Sequence, residues 1–243
     1  MSHQEKKIRR FLHHQIDIVL FDEIDSTNNE AKRRVTSPIP RPLLLCAASQ
    51  SAGRGRRGHD FYSPKGTGLY LSVVLPAVGI EVQPVTCAAA VAAATAIEEL
   101  CEHTVGIKWV NDLYVDGRKV CGILTELLCD SDNRPIAVCV GIGVNLTTAS
   151  FSGDYPAGSI GNVDRDRLCA MIADRLIDCC RDGGYMDSYR ARSIVIGRTV
   201  TFTDSDGSHT ATAVGISDSG ELIVHEKGIK RVLSSGEISV TLY

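Results

Sequence analysis

Six consecutive residues, Gly53-Arg54-Gly55-Arg56-Arg57-Gly58, set three guanidinium groups among three positions without side chains. Such a segment suits an anion. Glycine lets the backbone turn through positive φ and bring N–H groups close to a ligand. Arginine adds a planar fork that matches carboxylate and phosphate. The spacing also satisfies G-x-G-x-x-G, the dinucleotide fingerprint, which needs a strand before it and a helix after it. Leu43 to Ala48 supplies the strand, but His59-Asp60-Phe61-Tyr62-Ser63-Pro64 cannot open the helix. A Walker loop requires Lys followed by Ser or Thr where this chain has His59-Asp60. Taken by itself, the segment also reads as a solvated basic turn, because charge runs usually face water.

Other polar groups keep it company. Thr27 and Glu30 have capping-box spacing, so the stretch starts a helix. The adjacent Ser26, Thr27 and Asn28, with the free N–H groups of that helix start, can equally receive a polar ligand. Gln50 stands between the strand and the glycine loop. Asn111-Asp112 reads as a turn cap or as a pair facing a ligand, and Lys119 as an edge lysine of a strand or as a placed cation.

The elements that must position these groups follow from periodicity and turn residues. Strands are predicted over Ile16–Phe21, 43–48, Gly68–Leu75, Arg118–Leu128 and Ile136–Val144. Gly106 to Val115 leads into the hairpin turn Asp116-Gly117. A polar N-terminal segment forms a short helix or tail over 1–15, and an Ala-rich helix over about 84–102 has small side chains that allow close packing on a sheet. Asp164 to Asp182 is an amphipathic helix, Tyr185 to Ser193 a shorter one, and 150–162 a loop. Meandering strands with helices elsewhere in the chain imply an α+β protein with a mixed or antiparallel sheet. From Gly197 the texture changes to short strands, at Thr199–Thr203, Thr210–Ile216, Glu221–His225 and Ser239–Leu242, with turns at Asp206-Gly207 and Ser219-Gly220. That is a small β-barrel of SH3-like size, dividing the chain into 1–195 and 196–243.

Composition narrows the function. With 243 residues, 44% hydrophobic and 23% charged, the chain can bury one substantial core. A net charge of −3 argues against binding nucleic acid as the main activity, since phosphate-backbone affinity needs surplus Lys and Arg. The nine cysteines form no C-x-x-C pair and sit mostly in apolar runs, as reduced, buried thiols of a cytoplasmic protein do. With the seven histidines they show no zinc spacing. The charged N-terminus has no apolar signal core, and Val85–Ile97 is too short to span a bilayer.

In order and spacing, Ser26-Thr27-Asn28, Gln50 with Gly53–Gly58, Lys108-Trp109-Val110-Asn111-Asp112-Leu113, Lys119 to Glu126, Gly141-Ile142-Gly143-Val144-Asn145 and Ser235-Gly236-Glu237-Ile238-Ser239 resemble the biotin protein ligases. The resemblance covers nearly the whole chain and is to the short form without an N-terminal DNA-binding domain. It implies a mixed sheet with covering helices related to class II aminoacyl-tRNA synthetases, plus a C-terminal SH3-like barrel. It further implies that biotin and ATP, with Mg²⁺, give biotinyl-5′-adenylate, and that a lysine of a biotin carboxyl carrier domain of a biotin-dependent carboxylase takes the acyl group. No DNA or membrane partner is implied, and a homodimer is allowed.

The same matching assigns roles. Lys119, Arg54 and Arg56 are catalytic. They also hold biotin, together with Ser26, Thr27, Asn28 and Gln50 at its ring end and with Gly53, Gly55, Gly122, Gly141 and Gly143 leaving room. Arg54, Arg57, Phe61, Lys108, Asn111, Asp112 and Asn145 face ATP or the adenylate, Asp112 through Mg²⁺. The chemistry fits the residue types, because a carboxylate and a phosphate about 4 Å apart repel by roughly 4 kcal/mol at an effective dielectric near 20 and cations must offset this. Three positions depart from the common pattern: Val110 for proline, Phe61 for tryptophan, and Thr241 for arginine. A lipoate ligase, a nucleic-acid module and a non-catalytic adenylate-binding repressor are the rival readings. The arginine loop and β-rich C-terminus oppose the first, the acidic charge the second and Lys119 the third.

Overall fold

A computed structural model describes residues 1–76, 81–147, 157–205, 207–234, 236 and 238–240. A seven-stranded mixed sheet organises the chain. In sequence its strands are β1 (Asp17–Ile24), β2 (Leu43–Gln50), β3 (Gly68–Pro76), β4 (Gly106–Lys108), β5 (Asp112–Val115), β6 (Arg118–Cys129) and β7 (Pro135–Asn145). Their spatial order is β1-β2-β3-β7-β6-β5-β4, with β1 and β2 parallel and the other pairs antiparallel.

Alternation along each strand sorts side chains onto two faces. Val73, Val138 and Val140 join the large core, whereas Val74, Ala137 and Cys139 join a smaller one on the opposite face. On the first face lie α3 (Val82–Leu100) and α4 (Arg165–Asp182), packed on each other and on the sheet. The run of alanines from Ala88 to Ala94, broken by Val91, is buried throughout, so the α3 backbone approaches its neighbours closely. Asp164 caps α4, accepting from the backbone N–H groups of Asp166 and Arg167. At its buried middle, Asp174 accepts from the N–H groups of His13 and His14, which ties down the segment after α1 (His3–Arg9). The other face carries α2 (Thr27–Arg34), leaving the rest of that face open for a site.

Several elements differ from the sequence expectation. Ser26, not Thr27, caps α2, its hydroxyl accepting from Asn29 N, while Glu30 turns outward to Arg33 and Arg34. The Gly106–Val115 stretch is two strands, parted at Trp109–Asn111 by a turn whose Trp109–Val110 peptide is cis. All nine cysteines are free, but Cys129 is exposed rather than buried.

The second sheet is antiparallel, ordered β11-β10-β9-β8-β12, from β8 (Thr199–Asp204), β9 (Gly207–Ile216), β10 (Leu222–Glu226), β11 (Ile229–Leu233) and β12 (Ile238–Val240). Strand β11 was not foreseen; it follows a tight turn in which Lys227 and Gly228 both have positive φ. Asp206, Ser235, Glu237, Thr241 and Leu242, and positions 150–156 of the loop read at 150–162, lie outside the described residues. Helix α5 (Tyr185–Ala191) leads into this sheet, where Arg190 Nε donates to Ile216 O at 2.8 Å. At the Ser217–Gly220 turn the Gly220 carbonyl accepts from Gln83 Nε2 at 2.7 Å and Trp109 Nε1 at 2.8 Å. Gly220 has φ +81 and a side chain there would start 2.7 Å from Cys87 Sγ, so glycine is required. Among the described residues no helix is long and apolar enough to cross a membrane.

Candidate active site

Strand register lays two rows across the open face. Ser72 pairs with Gly141 and Gly141 with Leu124; Tyr70 pairs with Gly143, Gly143 with Gly122, and Gly122 with Asp112. Three glycines therefore fall side by side, leaving bare backbone between polar side chains. Over this bed lies a cavity of about 390 Å³.

One end of the cavity is built from the start of α2. Thr27 N donates to Gln50 Oε1 at 2.9 Å, and Gln50 Nε2 donates to Ser63 Oγ at 2.9 Å. Asn28 Nδ2 lies 3.2 Å from Leu124 O and 2.9 Å from Glu126 Oε2. Ser26, Thr27 and Asn28 are each nearly buried, yet all three reach the cavity wall. A side chain at Gly141 would begin 2.3 Å from Asn28 Oδ1, so that glycine makes room for the amide.

At the other end stand the cations. The Gly53–Gly58 segment folds back on itself, with Gly55 N donating to His59 O at 2.7 Å and Phe61 N to Gly53 O at 2.9 Å. Arg57 takes φ 52, a conformation uncommon outside glycine. Arg54 Nη1 donates to Asn29 Oδ1 at 3.0 Å and stands 3.3 Å from Glu126; Arg56 Nη1 donates to Asn111 Oδ1 at 3.2 Å. Lys119 Nζ is 2.7 Å from Asp112 Oδ1, off the direction a hydrogen bond needs, and that oxygen is buried and accepts no hydrogen bond. Arg57 and Lys108 complete this wall.

Sixteen of the residues singled out from the sequence thus surround one space. Two do not line it. Gly53 is packed behind the wall, where a side chain would meet Phe61 O at 2.3 Å, and its part is to let the loop leave β2. Asn145, expected at the adenylate, donates from Nδ2 to Gly158 O at 3.1 Å and so holds the returning chain. Phe61 is in the wall but lies over the glycine bed, its ring within 2.4 Å of where a Gly143 side chain would begin and 3.2 Å of the same point at Gly122. In this structure the space above Gly143 is therefore filled by an aromatic ring. Tyr114, His59 and Ile238 also line the cavity and were not anticipated. Ile238 comes from the second sheet, and only its place within the Ser235–Ser239 motif hinted at it.

Residues 20–145 match the biotin/lipoate A/B protein ligase family. The chain belongs to that family. Residues 195–240 match the biotin protein ligase C terminal domain. Among curated relatives, the biotin–[acetyl-CoA-carboxylase] ligase of Mycobacterium tuberculosis is 29% identical over 242 residues, spanning 92% of this chain and 88% of that one. The bifunctional ligase/repressor BirA of Bacillus subtilis is 29% identical over 238 residues, spanning 90% and 72%. Among solved structures, the biotin protein ligase from Aquifex aeolicus in complex with biotin and ATP has a TM-score of 0.77 at 24% identity, covering 93% of this chain and 98% of that one, and shares the ligase fold.

Proposed function

We propose that the cavity over the glycine bed is where biotin and ATP are joined, with the α2 start holding the biotin rings and the arginine loop and Lys119 holding the reacting anions. The protein is a biotin–protein ligase. It activates biotin as biotinyl-5′-adenylate and passes the acyl group to a lysine of a biotin carboxyl carrier domain. The observation that carries this reading is the convergence of Lys119, Arg54 and Arg56 on one space whose far end is densely hydrogen-bonded. We divide the chain into a catalytic unit over 1–195 and a C-terminal unit over 196–243.

In the first step the biotin carboxylate forms a bond to the α-phosphorus, and the bond to the leaving pyrophosphate breaks with its electron pair. Two anions must meet. Lys119, Arg54 and Arg56 lower the repulsion and stabilise charge as it spreads over the phosphoryl oxygens. In the second step the carrier lysine, as free amine, attacks the acyl carbon, AMP departs, and the amine loses its proton. Lys108, Asn111 and Asp112 face the phosphates.

No cluster of three His, Cys, Asp or Glu among the described residues could hold a metal unaided. Asp112 nevertheless fits a magnesium ion arriving with the nucleotide: its carboxylate lines the cavity, and its buried oxygen accepts no hydrogen bond and pairs only with the Lys119 ammonium, at 2.7 Å, among the described residues. A hard divalent cation commonly takes one or two carboxylates together with phosphate oxygens and waters. Bound there, Mg²⁺ would neutralise charge on the phosphates.

Exchange of labelled pyrophosphate into ATP tests the reading, because it reports the first step without a carrier. Exchange should require biotin, and lipoate should not replace it. Absence of exchange with biotin, or equal exchange with lipoate, overturns the assignment.

A further inference from the structure

Behind the cavity wall two side chains that do not line it, among the described residues, decide how Asn28 presents itself. Ser72 is fully buried on β3, with Oγ 2.7 Å from Thr27 Oγ1 and 2.6 Å from Asn28 Oδ1. Glu126, on β6, accepts from Asn28 Nδ2 at 2.9 Å and pairs with Lys32 at 2.8 Å. Burial raises the Glu126 carboxyl, but the hydrogen bonds from Lys32 and Asn28 and the charges of Lys32 and Arg54 outweigh it and leave it below the usual range. The group is thus an ionised acceptor.

The proton count follows. Leu124 O and the Glu126 carboxylate cannot donate, so they take both hydrogens of the Asn28 amide and fix its orientation. Oδ1 must then face Ser72, and being unable to donate it receives the single Ser72 hydrogen. The Thr27 hydroxyl is left to donate to Gln50 Oε1 at 3.2 Å. Asn28 lines the cavity, and its Oδ1 keeps a second lone pair for a ligand.

We propose that Ser72 and Glu126 are positioning residues that lock Asn28 as a hydrogen-bond acceptor, so that the site selects an acid whose ring carries an N–H donor. The cyclic urea of biotin has such donors; the dithiolane of lipoate has none. The inference rests on the reading of the cavity as the biotin site. A site committed to accept rejects a ring that leaves the acceptor unpaired, which discriminates more sharply than shape does.

Steady-state pyrophosphate exchange with the full chain, in wild type, Ser72→Ala and Glu126→Gln, tests it. Ser72→Ala frees the amide oxygen from its donor, and Glu126→Gln offers a donor that lets the amide turn over. In both, KM for biotin should rise about tenfold or more and preference for biotin over lipoate should shrink; in Ser72→Ala, kcat and KM for ATP should hold within about threefold, whereas Glu126→Gln also removes the carboxylate beside Arg54. A merely structural role would instead lower kcat and the thermal midpoint together. An unchanged KM for biotin and undiminished preference in folded Ser72→Ala overturn the inference and leave the biotin assignment standing. Should Ser72→Ala not fold, Glu126→Gln decides on the same criteria. A wild type that exchanges nothing with biotin overturns the functional reading and this inference with it.

Discussion

The two ends of the cavity are held by different physics. At the ring end, nearly buried side chains interlock through hydrogen bonds from Gln50 through Thr27 and Ser72 to Asn28 and Glu126. At the phosphate end, partly exposed charges are held by ion pairs such as Lys119–Asp112, with side chains 31% and 20% exposed. Unpaired buried polar groups are costly, so the first arrangement resists change and discriminates. Screened charges tolerate movement, which suits a place where one anion is consumed and another leaves.

Three substitutions would break or sharpen this contrast. Lys119→Ala should lower pyrophosphate exchange by about a hundred- to thousandfold while a direct biotin-binding measurement falls far less, since charge stabilised in the transition state is lost chiefly from rate. Equal losses in both would show that the two ends do not act separately. Gly141→Ala places a methyl 2.3 Å from Asn28 Oδ1 and should weaken biotin binding by about 1–3 kcal/mol, with KM for ATP unchanged. Calorimetry with biotin alone measures this, and unaltered affinity would mean the amide is free to yield. Asp112→Asn keeps shape but removes the partner of Lys119; KM for ATP should rise about two- to tenfold with biotin affinity unchanged. Titrating ATP at saturating biotin checks that smaller effect.

The phosphate end was largely legible in the sequence, because glycine and arginine at short spacing, and Lys108-Trp109-Val110-Asn111-Asp112 beside Lys119, announce their chemistry by residue type. The ring end was legible only at its surface. Ser26, Thr27, Asn28 and Gln50 stood out, but Ser72 looked like one polar residue in an apolar strand, and Glu126 like the end of a motif. Their part depends on register: Ser72 faces Gly141, and Gly141 faces Leu124 two residues from Glu126. Sequence spacing cannot give which strands lie side by side. Asn145, a polar residue closing a glycine-rich strand, gives its amide to Gly158 O, a contact that spacing along the sequence does not announce. The cap of α2 fell one residue early because Ser26 and Thr27 are both good cap residues, and the Glu30 carboxylate that would have decided it is drawn to Arg33 and Arg34.

The carbonyl of Gly220 reaches across from the second sheet to the indole of Trp109, next to Lys108 in the wall of the cavity. The second sheet is therefore a buttress: whatever loosens that one turn is felt, through Trp109, in the wall of the cavity that Ile238 also reaches.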